Sequence, residues 1–446
     1  MKAISPGNLK YPVFIFYLLS FFFINCERST SPLLTASLHL SAEYVAVTEA
    51  DLRLQTDKLP ENATFEIRRG DSLIFRGALQ TADITVTDTA LLPAHSYRYR
   101  ATLFKNGKPA AYSQLLQITT MDTTSHDFSW EIRTFGNGSS SVLYDVCIVN
   151  ENNIWAVGEI YSDSAQPWLP YNAVHWDGAQ WELKRIKTNA CGGVDYPPIR
   201  TIFAFSENNI LFGHIDASIT YFDGVNFIND CSFIQKINGS INKIWGTSSD
   251  DLYVVGSSGL IAHYDGSQWQ KIESGTELKI YDLLGKRHEK TDEQEILVVA
   301  SNKLEGYNCA ILQIKNKQSR LLSSRNIPST LTGIWFLPGR GYWVVGSGMY
   351  FKKNIYDTTA WKRIDNGITP YYTNSIRGTD VNDIFVVGSY GEFLHFNGVN
   401  WQSKINETGF YGELYSIDVK GKLVYAVGVT VETGRVKAII LKAKHL

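Results

Sequence analysis

The sequence predicts an all-β protein with a small N-terminal β-sandwich and a seven-bladed β-propeller. The 446 residues are 13% aromatic and include 24 Tyr and 11 Trp, a composition that favours strands over helices. Short apolar runs alternate with polar residues and are separated by turn residues, which is typical of antiparallel strands. After residue 128 one unit of roughly 45 residues recurs seven times, and repeats of this period are typical of propellers and solenoids.

The repeat is clearest at 252–272, which reads LYVVGSSGLIAHYDGSQWQKI. The same pattern appears as NIWAVG and NAVHWDGAQWELKRI within 153–186 and as DIFVVGSYGEFLHFNGVNWQSKI at 383–405. Each unit contains four strand runs, so we interpret it as a four-stranded antiparallel blade. The last unit lacks a Trp-led fourth strand, and a Trp-led strand at Trp130 precedes the first unit. We therefore expect the Trp130 strand to complete the last blade and close the ring.

The first 26 residues have the pattern of a signal peptide, because Lys2 and Lys10 precede an apolar run that is too short to span a membrane. Cys26 follows this run, and the segment resembles a bacterial lipoprotein signal in which Cys26 would be acylated. Asn25 and Phe23 depart from the usual residues of that signal. An ordinary cleaved signal and an uncleaved anchor are the alternatives, and all three export the chain.

The segment before the repeats contains the motif LLPAHSYRY at 91–99. This motif resembles the L-x-P-x-x-x-Y-x-Y of fibronectin type III domains, which implies that Leu91 packs against Tyr97 and that the Tyr97 hydroxyl bonds to backbone. An unrelated immunoglobulin-like sandwich is the alternative. The predicted organisation after the signal is a tether at 27–33, a fibronectin type III-like sandwich at 34–122, a linker at 123–127 and the propeller at 128–446.

Several kinds of chemistry find no support in the sequence. The net charge of −2 gives no field for nucleic acid, and the motifs of hydrolases, nucleotide binders and zinc sites are missing. His175, His263 and His395 recur one per blade, so they should not converge on one metal ion. The Asp-Gly and Asn-Gly dipeptides are interpreted as hairpin turns. We expect no cofactor, no metal and no nucleic acid.

Four cysteines follow Cys26, and an exported chain permits disulfides. Cys191 and Cys231 lie in polar loops of successive repeats, so they form the candidate bridge. Cys147 and Cys309 lie in strand patterns and are expected in the core. Four free thiols are the alternative.

The predicted propeller has one face of short, repetitive turns and one of long, varied loops. Aromatic residues concentrate in the loops, and variable loops on a rigid scaffold are common recognition surfaces. Packing of these rings over the blade ends is the alternative. The candidate ligand-binding residues are Trp168, Tyr196, Tyr371, Tyr372, Phe410 and Tyr411.

The W-A-V-G…Y-D-G-x-x-W pattern resembles the blades of bacterial surface propellers. Together with the N-terminal signal, this resemblance leads us to expect a monomeric lipoprotein of the cell envelope, at the outer membrane or cell surface, held by a lipid anchor. Such a protein would bind a protein or glycan in an adhesion-type role without being an enzyme. A carbohydrate-active enzyme, a glycosidase or lyase with its site at the channel mouth, is the alternative, and a structural envelope component is a third hypothesis.

Overall fold

The fold is all-β in the part of the chain that the computed structural model describes. That part comprises residues 36–137, 140–162, 165–188, 195–237, 239–302, 308–328 and 330–446. Cys26 and the predicted signal peptide lie outside it. Among the described residues no helix is both long enough and apolar enough to cross a membrane.

The first 85 or so described residues form two facing antiparallel sheets, one of order β1-β2-β5 and one of order β4-β3-β6-β7, with β8 also paired to β6. Alternating apolar residues of both sheets, including Leu52, Phe65 and Tyr99, make one buried core. At its edge the Leu92 N–H donates to the Tyr97 hydroxyl at 2.8 Å. The strands are β1 (Leu38–Val45), β2 (Glu49–Thr56), β3 (Ala63–Arg69), β4 (Ser72–Ala78), β5 (Asp83–Thr89), β6 (Ser96–Lys105), β7 (Lys108–Tyr112) and β8 (Leu116–Thr119).

The rest of the described chain forms repeated four-stranded antiparallel sheets, seven in number. The first strands are β10 (Val142–Asn150), β14 (Ile199–Ser206), β18 (Ile241–Ser248), β22 (Lys279–Arg287), β26 (Leu331–Leu337), β30 (Thr373–Asp380) and β34 (Gly412–Lys420). The second strands are β11 (Asn153–Ile160), β15 (Asn209–His214), β19 (Asp251–Gly256), β23 (Gln294–Ser301), β27 (Gly341–Gly346), β31 (Asp383–Gly388) and β35 (Leu423–Glu432).

In the first six sheets the outer half is shorter than the inner half. The third strands are β12 (Tyr171–Trp176), β16 (Ile219–Phe222), β20 (Ile261–Tyr264), β24 (Cys309–Lys315), β28 (Met349–Lys352), β32 (Phe393–Phe396) and β36 (Arg435–His445). The fourth strands are β13 (Trp181–Lys184), β17 (Phe227–Asp230), β21 (Trp269–Ile272), β25 (Gln318–Leu322), β29 (Lys362–Arg363), β33 (Trp401–Ser403) and, in the seventh sheet, β9 (Phe128–Phe135). Two short helices, α1 (Ser232–Lys236) and α2 (Ile405–Thr408), follow the fourth strands of the second and sixth sheets.

The seven sheets are arranged around a common centre. The first strand of each sheet contacts the first strand of the next, and β34 of the seventh sheet contacts β10 of the first. Apolar side chains fill the space between neighbours; Trp155 of the first sheet, for example, packs with Ile202 and Phe212 of the second. The strand that contains Trp130 pairs with β36, with Trp130 opposite Ala443. This pairing of an N-terminal strand with the last repeat is the one the sequence predicted.

The N-terminal sheets dock on the side of the short turns. Lys353, just after β28, lies 2.9 Å from Glu49 and 3.0 Å from Asp51. Between β26 and β27 the Arg340 guanidinium lies over the Tyr44 ring, 5.0 Å from its centroid. The docking leaves the loops between second and third strands and between sheets on the opposite side.

Candidate functional site

Every first strand carries a β-bulge at the same position, near its N-terminal end. The register with the second strand shifts there by one residue in all seven sheets. A bulged residue has no partner in the ladder, and bulges often redirect a side chain beside a binding site. The bulged residues, called the mouth ring below, are Tyr144, Arg200, Asn242, Tyr281, Thr332, Asn374 and Tyr415.

The mouth ring lines a central cavity of about 420 Å³. Because each ring residue stands near the start of a first strand, the cavity lies toward the side of the varied loops. The residue that follows each ring residue forms a second layer, in which Asp145, Lys243 and Asp282 also line the cavity. The centre of the protein is therefore polar where it meets the loops.

Two ion pairs cross the second layer. Lys243 Nζ lies 2.8 Å from both carboxylate oxygens of Asp145, and Arg377 binds Asp282 through two hydrogen bonds of 2.9 Å. Lys243 and Arg377 also line a second central cavity of about 370 Å³ on the far side. These cations therefore form the floor between the two halves of the central channel.

The two aspartates also connect neighbouring sheets. Asp145 accepts the N–H of Ile202 in the second sheet, and Asp282 accepts the N–H of Ile334 in the fifth. Burial raises the pKa of Asp145, but the Lys243 ammonium and the hydrogen bonds to the carboxylate outweigh it and leave this pKa below its usual value. The second layer is a charged structural element as well as part of the cavity wall.

Arg200 is the distinctive member of the mouth ring. Its guanidinium lies over the Tyr144 ring, 4.5 Å from the centroid. Burial raises the pKa values of Tyr144, Tyr281 and Tyr415, and the positive charge of Arg200 opposes that rise in all three. Arg200 thus lies near three tyrosines from three different sheets. Among the described residues its guanidinium has no hydrogen bond or ion pair.

A guanidinium with free donors, held against an aromatic face, is suited to bind a carboxylate or a peptide carbonyl. The amide groups at the mouth are engaged differently. Asn242 donates to the Ile280 carbonyl and Asn374 to the Leu414 carbonyl, so each connects its first strand to the next sheet. The part of the ring that remains available for a ligand is the Arg200 guanidinium, which lies beside the tyrosine rings.

The structure brings three tyrosines together on the side of the varied loops. Tyr371 and Tyr390 lie 4.9 Å apart between ring centroids, and Tyr390 and Tyr411 lie 5.6 Å apart. Tyr411 and Tyr390 are 65% and 49% exposed. Tyr371 and Tyr411 were predicted from the sequence, whereas Tyr390 was missed. We call these three residues the tyrosine row.

The other predicted residues do not join the row. Trp168 is 74% exposed and makes no ring contact within the described residues. Tyr196 is half-buried in the connection to β14. Phe410 packs against the core between the sixth and seventh sheets. The Tyr372 hydroxyl bonds to Thr330 at 3.3 Å.

Tyr372 is also close enough to the mouth ring to affect the pKa of Tyr281. Of the six predicted residues, the structure thus places two in an exposed stack and one beside the ring. The six do not form one continuous surface, and their role in binding stays a prediction.

The recurrent histidines have local partners. Each bonds through Nε2 to a residue at the start of the neighbouring second strand: His175 to Asn153 at 3.1 Å, and His263 to Asp251 at 2.7 Å. His395 bonds to Asp383 at 3.1 Å. The three histidines thus lie in three different sheets.

The Asp-Gly dipeptides are turns. Asp265 accepts the N–H groups of Ser267 and Gln268, and Gly266 has a φ of 85°, where a glycine is favoured. The same hydrogen bonds recur at Asp177, Asp223 and Asn397.

The cysteines divide into two groups. Cys231 takes part in a disulfide, whereas Cys147 and Cys309 are free and half-buried. Cys191, the predicted partner of Cys231, lies outside the described residues, so that pairing stays a prediction.

The mouth ring has a signal in the sequence that becomes visible only when the seven repeats are compared. In every repeat the first strand reads as an aliphatic or Thr residue, two mostly polar residues and another aliphatic one, as in Leu143–Val146 and Ile241–Ile244. Alignment of the seven first strands on this pattern would have found the ring. A single strand does not reveal it, because the seven ring residues differ in chemistry.

No protein-family model matches the chain, and no curated protein matches it at a significant level. Solved structures do. The structure titled "YCF48 bound to D1 peptide" aligns with a TM-score of 0.52 at 15% identity and covers 72% of this chain and 97% of that one. The WD40 β-propeller domain of Doa1 aligns with a TM-score of 0.47 at 11% identity and covers 70% and 97%. The first of these likenesses concerns the fold alone, and together with the repeated four-stranded sheets it shows that the chain contains a β-propeller.

Proposed function

We propose that this protein is an exported binding protein whose propeller holds a segment of a protein partner at the mouth ring. The observation that carries the proposal is the conserved position of the bulge in all seven first strands, which turns Arg200 and three tyrosines toward one cavity. Aromatic faces and an arginine are the residue types that dominate protein recognition sites. The peptide-bound state of one structural neighbour is consistent with such a role.

The architecture we propose has seven blades, because seven four-stranded sheets contact one another in order and the seventh contacts the first. The N-terminal sheets, of order β1-β2-β5 and β4-β3-β6-β7, support the fibronectin type III-like sandwich, as does the bond between Leu92 and the Tyr97 hydroxyl. Export, acylation at Cys26 and an envelope location rest on the sequence of the first 26 residues.

The test separates a peptide ligand from a glycan. The full chain is screened against a displayed library of random peptides and against a glycan array. We expect enriched peptides that bind at least tenfold more weakly to Arg200→Gln, since the substitution removes the free guanidinium. Arg98→Gln, which changes an exposed arginine of the sandwich, is the matched control and should bind like the wild type. If the selected peptides bind Arg200→Gln as tightly as they bind the wild type, the proposal is contradicted.

A carbohydrate-active enzyme is the second candidate, because carboxylates and cations do meet at the channel mouth. A glycosidase needs one carboxyl group with a raised pKa to act as general acid. The Asp145 pKa is lowered, and Asp282 is paired with Arg377, so both aspartates favour a structural role. This candidate would be favoured over the first if the wild-type protein turns over a glycan substrate and a folded Asp282→Asn variant does not.

A further inference from the structure

A cluster of histidines lies where the linker, the sixth sheet and the C-terminal strand meet. Nε2 of His395 and Nε2 of His445 both face one oxygen of Asp383, at 3.1 and 2.9 Å. One ligand atom from each of the three residues lies within 4.8 Å of the others. Their side chains are 0%, 11% and 7% exposed. Two imidazoles and a carboxylate therefore converge in the protein interior.

Part of this cluster belongs to the blade repeat. The third sheet has the same arrangement, in which the Thr247 hydroxyl donates to Asp251 and Asp251 bonds His263. In the sixth sheet the hydroxyl of Thr379 donates to Asp383 at 2.5 Å. The Thr–Asp–His set is thus a packing element shared by two blades. What the sixth sheet adds is two further histidines, His445 and His126.

The hydrogen bonds of the added histidines constrain the protons. His126 Nε2 lies 2.9 Å from the Asn400 side-chain oxygen, and since that oxygen accepts, His126 carries its proton on Nε2. His126 Nδ1 then accepts from His395 Nδ1, which lies 2.8 Å away. A neutral His395 is left with a lone pair on Nε2, and this lone pair faces the Asp383 carboxylate.

A lone pair and a carboxylate oxygen at 3.1 Å are stabilised by a cation between them, either a proton on His395 or a metal ion. We propose that Asp383, His395 and His445 bind a divalent transition-metal ion, with Zn²⁺ as the best match. Zn²⁺ takes imidazole nitrogens and carboxylate oxygens as ligands at about 2.0–2.2 Å. The cluster offers two imidazole nitrogens and one carboxylate oxygen. The Thr124 hydroxyl, 3.3 Å from His395 Nε2, borders the position of a fourth ligand.

The surroundings have the features of an outer coordination shell. A histidine that binds a metal commonly donates its other N–H to a fixed acceptor, which orients the ring. His126 is that acceptor for His395, and Thr379 orients the Asp383 carboxylate. Phe128 packs against both ligating rings, with centroids 5.1 Å from His395 and 4.6 Å from His445. The apolar ring limits water access on that side.

The position of the site suggests what the metal would do. His445 is the last residue of β36, which pairs with β9 to complete the seventh sheet. Thr124 and His126 belong to the connection from the sandwich. A metal ion bound here would hold the C-terminal end of β36 to the sixth sheet beside that connection. Because only the folded chain assembles the ligands, metal binding would stabilise the fold.

The test titrates Zn²⁺ into the untagged full chain after a chelator has removed bound metal, with a chromophoric competitor as the readout. We expect one Zn²⁺ per chain and a rise in the melting temperature on binding. His445→Gln should weaken binding at least tenfold, because it removes one ligand. His263→Gln is the matched control: it removes a histidine from the equivalent set of the third sheet and should retain one Zn²⁺ per chain.

Substitution with Co²⁺ gives a second readout, since a site with nitrogen ligands produces a visible absorption band that His445→Gln should abolish. Circular dichroism establishes that the variants are folded. A wild-type chain that binds no stoichiometric Zn²⁺ would overturn the proposal, as would a His445→Gln variant that binds as tightly as the wild type. Either result would mean that a proton, and not a metal ion, links His395 to the Asp383 carboxylate.

Discussion

Asp145 on β10 and Lys243 on β18 meet across the channel, although the second sheet separates their strands. The ammonium lies 2.8 Å from both carboxylate oxygens, and the Asp145 side chain is 2% exposed. The carboxylate also accepts from Thr201 and from Ser416. One buried aspartate therefore connects four sheets around the centre.

The first prediction concerns this aspartate. Asp145→Asn removes the carboxylate that contacts the partly buried Lys243 ammonium, so the free energy of unfolding should fall by about 3–5 kcal/mol. Urea denaturation followed by fluorescence measures the change. Asp265→Asn is the control, because it makes the same substitution in an exposed turn and should alter the midpoint much less. Equal effects of the two substitutions would show that the Lys243 pair contributes nothing.

The second prediction concerns pH. Burial lowers the pKa of His214 to about 4, whereas a histidine in the unfolded chain titrates near 6.5. Between about pH 4 and pH 6.5 the unfolded chain binds a proton on this histidine and the folded chain does not. The contribution of His214 to stability is therefore fully present above about pH 6.5 and is lost as the pH falls toward 4. The loss attributable to His214 approaches about 3 kcal/mol.

His214→Gln should flatten this part of the stability profile, measured as the urea midpoint at about pH 4.5, 5.5 and 7.5. His39→Gln, which changes an exposed histidine of the sandwich, should retain the wild-type slope. An unchanged slope in His214→Gln would mean that other groups carry the acid sensitivity of the fold.

The third prediction concerns the tyrosine row. Tyr390 contacts both Tyr371 and Tyr411, so Tyr390→Ala removes the ring that joins the other two. We expect unchanged folding and a loss of about 1 kcal/mol, roughly fivefold, in affinity for peptides selected from the library. The triple variant Trp168→Ala, Tyr371→Ala, Tyr411→Ala should abolish the interaction.

The control for the row is Tyr112→Ala, which removes a tyrosine of the sandwich that is 51% exposed. It should bind the selected peptides as the wild type does. If the triple variant still binds, the ligand does not reach the loops, and the assignment of those aromatic residues is wrong.

Much of the fold was predictable because it depends on local chemistry that recurs. Alternating apolar residues gave the strands, and the Asp-Gly dipeptides gave the turns that close them. The Trp-led run around Trp130 predicted the pairing of an N-terminal strand with the last repeat, which β9 and β36 make. Such patterns involve neighbours in the chain, so each repeat contains its own evidence.

The candidate site was less predictable, because its residues are far apart in the chain. Arg200 reads as an ordinary polar residue of a strand, and only the bulge in its register directs it to the cavity with Tyr144, Tyr281 and Tyr415. The prediction from the loops selected aromatic residues singly. It therefore included Phe410, which packs on the core, and missed Tyr390, which completes the row.

The histidines show most clearly the difference between what the sequence predicts and what only the tertiary structure reveals. By itself the sequence determined that His263 and His395 occupy equivalent positions in a repeated sheet, because period and turn chemistry are local properties. Only the tertiary structure decided that His395 meets His126 and His445, which come from the two ends of the propeller segment. The physical reason is ring closure: the contact between the last sheet and its neighbours joins residues some 300 positions apart, and no local pattern encodes that distance.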